Sequence, residues 1–184
     1  MGKKYSPLYD PPTVPGMFVH QAAKLGDWVL KVSKRDGVWT PATWRETYDI
    51  IRCLTLGLIA CGIRKGDCVG IISKTRSEWS DADLAVLCSG AVTVGIYPTA
   101  GAADMEHILS HSNCRLVFVE NDDLLPKITA MKKKIGLSGK VVLFETKQNF
   151  PPADVAALPE LMRLGRELDL RQPELFDQTW RSVA

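Results

Sequence analysis

Histidine is scarce in this sequence, three residues in 184, and the scarcity removes most ways of building a catalytic triad or a metal site. His20 stands near the N-terminus, His107 and His111 are four apart, and no G-x-S-x-G elbow accompanies them. The five cysteines (Cys53, Cys61, Cys68, Cys88, Cys114) are an odd set with no C-x-x-C pair. That argues against a disulfide framework or a Cys-rich zinc site, and for a reducing, cytoplasmic setting. Neither G-x-x-x-x-G-K-[ST] nor G-x-G-x-x-G occurs, so two well-known phosphate-cradling loops are missing. An excess of one charge is missing too. Lys and Arg number 23 against 21 Asp and Glu, leaving +2, so no basic footprint marks a nucleic-acid binder and none is expected as a partner.

A membrane span is also excluded on pattern. The stretch from Leu84 to Ala103 carries no charge, but Gly90, Gly95, Pro98 and Gly101 interrupt it. It reads as a helix end, a turn and a buried strand, not as a bilayer helix. No apolar stretch follows Lys3 and Lys4, so no signal peptide is read. Met1-Gly2-Lys3-Lys4-Tyr5-Ser6 fits the loose myristoylation pattern, which a short basic terminus matches easily by accident. Contact with a membrane surface, without a span, stays compatible with the sequence.

What is present is ordinary globular composition, 46% hydrophobic and 24% charged, in a length that suits one compact domain with a real core. Tyr5 to Pro15 holds four prolines and predicts an extended lead-in. A short helix follows, with Met17, Phe18, Ala22 and Leu25 on one side and Gly26 ending it. Trp28 to Lys34 predicts a strand with Leu30 and Val32 facing one way. Asp36-Gly37 is a hairpin turn, and Val38-Trp39-Thr40 returns antiparallel. Thr43-Trp44-Arg45-Glu46 is a capping box. Behind it Trp44, Tyr48, Ile51, Leu54, Thr55, Leu58 and Ile59 recur at helical spacing, and Gly62 with Ile63 closes the helix.

Four apolar runs then read as strands: Cys68–Ile72, Val92–Ile96, Leu116–Val119 and Val141–Phe144, starting 24, 24 and 25 residues apart. The gaps predict helices over Glu78–Cys88, Ala103–Ser112 and Asp122–Ile135. Strand–helix–strand spacing of this kind makes parallel strands, and apolar strands suit a sheet covered on both faces. Asn149-Phe150-Pro151-Pro152 breaks the pattern. Leu158, Leu161, Met162, Leu164 and Leu168 line one face of a further helix, and Leu170 to Ala184 shows no strand and no cap. The fold class is therefore α/β, a mostly parallel sheet flanked by helices and preceded by a short helix and hairpin. It divides into a lead-in over 1–42, a core over 43–147 and a helical tail over 148–184.

A parallel sheet places ligands at the carboxyl ends of its strands. After Ile72 come Ser73-Lys74-Thr75-Arg76-Ser77, where Lys74 and Arg76 could hold an anion near a helix N-terminus; solvated strand-end charges explain them better. His107, His111 and Cys114 sit on a helix and just beyond it, yet no fourth ligand is evident, so exposed helix histidines are the better reading. Lys132-Lys133-Lys134 reads as the wet side of a helix. The chemistry alone defines no catalytic, cofactor-binding or metal residue.

Thr43-Trp44-Arg45-Glu46, Gly62 to Ile71, Ser77-Glu78-Trp79, Gly90 to Thr99, Leu109 to Ser112 and Val117 to Glu120 occur in order. With them the chain from Trp39 to about Phe144 resembles the amino-terminal region of AMP-forming acyl-CoA synthetases, the adenylate-forming ligase superfamily, and within it the long-chain fatty acid–CoA ligase branch. Thr43-Trp44-Arg45-Glu46 is similar to the motif that opens the first core helix. Gly62-Ile63-Arg64-Lys65-Gly66-Asp67-Cys68-Val69-Gly70-Ile71 is similar to the family's turn and strand. Ser77-Glu78-Trp79, Gly90 to Thr99 with its Tyr97-Pro98-Thr99, Leu109-Ser110-His111-Ser112 and Val117-Phe118-Val119-Glu120 follow in order. One departure is Ser73-Lys74-Thr75-Arg76, where relatives often carry Asn before Glu-Trp.

The resemblance implies a parent enzyme that joins a fatty acid to ATP as acyl-AMP, with Mg²⁺, and passes the acyl group to CoA. Its partners would be the fatty acid, CoA and the remainder of the ligase. The family's T-S-G-T-T-G-x-P-K-G loop, Y-G-x-[TS]-E, T-G-D and carboxy-terminal lysine do not occur in these residues. Phe176 to Ala184 resembles the stretch before the strand leading into that loop. The expectation is an N-terminal fragment that is inactive alone, binds no cofactor and self-associates, with Tyr97-Pro98-Thr99 near one wall of the CoA channel. The alternatives are a stand-alone non-catalytic α/β binding module and an unrelated α/β enzyme.

Overall fold

Residues 13–35, 37–137, 139–147 and 153–183 are described in a computed structural model. Met1–Ser6 with its myristoylation pattern, most of the proline-rich lead-in, Asp36 and the Asn149–Pro152 break lie outside them.

Helix α1 (Val14–Leu25) begins earlier than its apolar side suggests, because Thr13 caps it by accepting from the Gly16 N–H at 3.2 Å. Pro15 belongs to its first turn rather than to an extended lead-in, a place where the missing proline N–H costs nothing. Strands β1 (Val29–Arg35) and β2 (Val38–Thr43) form the expected antiparallel hairpin. The register shifts between Val29 and Lys31. Leu30, inside that irregularity, packs on the core, whereas Val32 is exposed. The two therefore part company, against the expectation from alternation.

Helix α2 (Trp44–Ala60) carries both predicted end signals. Glu46 N–H donates to the Thr43 hydroxyl and the Glu46 carboxylate accepts from the Thr43 N–H at 2.8 Å. At the other end Gly62 has φ +88, Ile63 N–H donates to the Leu58 carbonyl at 3.0 Å, and Ile63 is buried. This is the six-to-one closure that a left-handed glycine permits.

The βα units follow: β3 (Cys68–Ile72), α3 (Ser77–Cys88), β4 (Val92–Ile96), α4 (Ala102–His111), β5 (Cys114–Val119), α5 (Leu125–Ile135) and β6 (Val141–Leu143). A fifth strand, β7 (Val155–Ala157), leads directly into α6 (Leu158–Arg171), and α7 (Leu175–Arg181) follows. The sheet order is β4-β3-β5-β6-β7 and every pair is parallel. Alternation along the strands splits the core in two. Val69, Ile71, Leu116, Phe118 and Val142 face α1, α2, α3, α6 and α7. Ile72, Val117, Val119, Val141 and Leu143 face α4 and α5.

Some boundaries differ from expectation. The segment from Asp122 to Leu124 is a turn, not the start of α5, because the Asp122 carboxylate accepts from Thr146 Oγ1 at 2.9 Å and Lys147 N–H at 2.7 Å. Strand β7 lies inside the stretch read as a helical tail, whereas α7 is a helix of that tail with no side-chain cap. Lys132 is not on a wet face, since its ammonium bonds Asp154 at 3.0 Å and its side chain is mostly buried. No described helix is long and apolar enough to cross a membrane.

Candidate functional site at the strand ends

The carboxyl ends of β3, β4, β5 and β6 form the face on which a parallel sheet carries ligands. An acid stands just beyond the end of each of the adjacent strands β5 and β6. Glu120 N–H donates to the Ile72 carbonyl and its carboxylate accepts from the Lys74 N–H at 2.7 Å. Ser73 Oγ also lies 3.4 Å from that carboxylate. Glu145 N–H donates to the Glu120 carbonyl at 3.1 Å. The loop after β3 is thereby tied to the end of its neighbour β5, and that end to the end of β6.

Arg76 ties the same loops by charge. Its Nε donates to Glu78 at 2.8 Å, its Nη2 pairs with Glu145, and the guanidinium lies over Phe144, 5.8 Å from the ring centre. Phe144 in turn stacks on Phe118 at 5.5 Å. The Arg76 side chain is only 19% exposed. Despite this burial, the two carboxylates push its pKa further up. It is neither a solvated strand-end charge nor a free anion holder, which corrects both sequence-based readings. The structural reason is the pair of acids that meet it.

Two cavities flank this clamp. One, about 770 Å³, lies between β1 and the strand ends, with Lys31, Lys34, Arg76 and Glu145 on its walls. Lys31 there is paired with the buried Asp81, and Lys34 sits over Trp39 at 5.7 Å. The other, about 590 Å³, is floored by Trp79 and Gly95 and rimmed by Lys74, Tyr97, Pro98 and Thr99. A Cβ on Gly95 would meet Trp79 at 3.6 Å. Tyr97 is 82% exposed.

These residues do not make a phosphate cradle. The Lys74 N–H is taken by Glu120 and Arg76 by two glutamates. Among the described residues no group of three or more His, Cys, Asp or Glu is placed to hold a metal ion. His107 and His111 are exposed on α4, their rings 5.7 Å apart and nearly parallel, and Cys114 bonds Ser112 instead. None of the three histidines lines either cavity. Sequence reasoning passed over the structural parts played by Glu78, Glu120, Asp122 and Glu145. The one available signal was an acid directly after an apolar strand, as in Val119-Glu120 and Phe144-Glu145.

Solved structures share this architecture. The luciferase-like enzyme of the mealworm Zophobas morio superposes over 88% of this chain and 36% of its own, with a TM-score of 0.71 and 22% identity. The anthranilate CoA ligase AuaEII, in complex with anthranoyl-AMP, superposes over 89% of this chain and 30% of its own, with a TM-score of 0.70 and 20% identity. The fold is thus shared with part of each of these enzymes, with the helix and hairpin preceding the parallel sheet.

The sequence carries the assignment further. Residues 18–167 match the family described as AMP-binding enzyme, and the chain belongs to that family. It is 36% identical over 143 residues to the long-chain-fatty-acid–CoA ligase FadD15 of Mycobacterium bovis, a match spanning 78% of this chain and 23% of the relative. The chain thus aligns with about a quarter of that relative's length.

Proposed function

We propose that these residues form the N-terminal scaffold of an AMP-forming long-chain fatty acid–CoA ligase. The intact enzyme joins a fatty acid carboxylate to the α-phosphate of ATP, releases pyrophosphate, and exchanges AMP for the CoA thiol. The observation that carries the reading is the 36% identity to a long-chain-fatty-acid–CoA ligase along 78% of this chain. A mouse relative with the same printed activity, ACSBG2, supports it at 26% identity over 90% of this chain.

In this reading the contribution of the segment is positional. Glu120, Glu145 and Arg76 hold three strand ends in fixed relation, so that the loops of the ligand face start from defined places. Contacts to the nucleotide and its magnesium ion are assigned in this reading to residues outside this segment, which is in keeping with the engagement of Arg76 and of the Lys74 N–H by glutamates. The cavity beside Tyr97-Pro98-Thr99, at the carboxyl end of β4, is proposed to border the CoA path. The lead-in, core and tail over 1–42, 43–147 and 148–184 are proposed as parts of one scaffold.

The test uses the protein extended to the length of its relatives. Incubated with palmitate, ATP, Mg²⁺ and CoA, it should yield palmitoyl-CoA and AMP in equal amounts. Formation of ADP, or no thioester with any fatty acid from short to long chain, would contradict the reading.

A further inference from the structure

Cys68 opens β3 and Cys114 opens β5, and the two are register partners in a parallel pair. Neighbouring strands lie about 4.8 Å apart with partner side chains on one face, inside the Cα range of roughly 4.4–6.8 Å that a disulfide requires. Both side chains pack in the same apolar layer under α4 and α5. The ladder is irregular directly after them: Val69 pairs with Leu116, so Arg115 is passed over. A bulge of this kind lets the backbone adjust locally.

The two thiols are not equivalent. Cys68 is partly buried and Cys114 is buried. Ser112 Oγ donates its proton to the Ile108 carbonyl at 2.6 Å. Its 3.1 Å contact with Cys114 Sγ therefore has the thiol as donor. Burial also pushes the Cys114 thiol up. Of the other cysteines, Cys53 lies within α2, Cys61 caps it, and Cys88 is buried in α3. None of these three is a register partner of another cysteine.

We propose that Cys68 and Cys114 form a reversible dithiol–disulfide site that reacts with hydroperoxides. The Cys68 sulfur attacks the peroxide oxygen. An S–O bond forms, the O–O bond breaks, and the Cys68 proton leaves with the departing oxygen as water. The Cys114 sulfur then attacks the Cys68 sulfur. The S–S bond forms, the S–O bond breaks, and the hydroxyl leaves as a second water with the Cys114 proton. Two thiols lose two electrons, and one peroxide gains them. The product links the start of β3 to the start of β5, and a thiol reductant reverses it. Cys68 is the entry point because it is the more accessible sulfur, and Cys114 resolves it because it is already in place.

The experiment treats the 184-residue protein with hydrogen peroxide, alkylates the remaining thiols, and maps peptides without reduction. The expected product joins the Cys68 and Cys114 peptides, lighter by two hydrogens than their reduced sum, and disappears on reduction. In Cys114→Ser the second step is blocked, so dimedone should label Cys68 where it does not label the wild type. Cys68→Ser should give neither product. The wild-type mapping and a reductant-reversible rise in its thermal midpoint need no variant to fold. A lasting sulfenic acid at Cys68 in the wild type, linkage through Cys53 or Cys61, linkage between chains, or no oxidation of Cys68 would each overturn the proposal.

Discussion

Thr43 and Glu46 exchange hydrogen bonds at the start of α2, each satisfying a backbone N–H that the helix leaves unpaired. Thr43→Ala removes one of the pair and should lower stability by about 0.5–2 kcal/mol, read as a shifted urea midpoint. An unchanged midpoint would show that the cap contributes nothing. The acid half of the box adds a pH dependence. Hydrogen bonds from the Thr43 backbone and hydroxyl hold the Glu46 carboxyl below its ordinary value of 4.5. Its contribution is complete above that value, where the unfolded chain is also ionised, and is lost as pH falls through the lower folded value. The stability gap between wild type and Glu46→Gln should therefore be present at pH 7 and close in acid. A gap that stays constant across that range would contradict the account. Arg52 shows the same logic on the next turns: it grips Asp169 with two hydrogen bonds of 2.7 and 2.8 Å, reaches the Pro173 carbonyl, and lies over Phe176.

At the scale of elements, α2 and α6 meet backbone to backbone at two glycines. A Cβ on Gly165 of α6 would stand 1.8 Å from the Cys53 carbonyl oxygen, and one on Gly57 of α2 would stand 2.3 Å from that of Leu161. Backbone, not side chain, is what it meets, so the helices must separate. Gly165→Ala should cost about 1–3 kcal/mol or more, outweighing its gain in helix propensity of about 1 kcal/mol. Gly62→Ala is the contrast: its added Cβ has open space, and only the positive φ costs about 1–2 kcal/mol. Equal denaturant midpoints for Gly165→Ala and wild type would mean that α6 does not seat on α2 as described.

This crossing also shows where sequence reading stopped. The strands Cys68–Ile72 and Val92–Ile96 were legible to the residue, because turn glycines bound them and no charge interrupts them. The α2 ends were legible because caps are local chemistry. Strand β7 is three residues long and has no periodicity to detect; only its pairing to β6 defines it. Helix α7 is recognisable by what it buries, Phe176 and Trp180, a property of tertiary packing. The strand-end clamp failed to show for the same reason. Arg76 is 69 residues from Glu145, and nothing local announces that they meet.

At the scale of the whole molecule, the scaffold leaves apolar surface open. Strand β4 is an edge of the sheet with Val92 49% exposed, and the hairpin presents Trp28, Val38 and Trp39, each at least 65% exposed. An open edge and bare aromatic surface promote association, and a net charge of +2 opposes it weakly. Sedimentation velocity over a concentration series should show the average coefficient rising with concentration. A constant monomer value would contradict this and favour a stand-alone binding module.

The central claim is that this segment positions an AMP-forming ligase without performing its chemistry, and labelled pyrophosphate exchange into ATP tests it most directly. With long-chain fatty acid present, the 184-residue chain should give no exchange above a blank without protein, while the protein extended to the length of its relatives exchanges label. Fatty-acid-dependent exchange by the 184-residue chain itself would contradict the account.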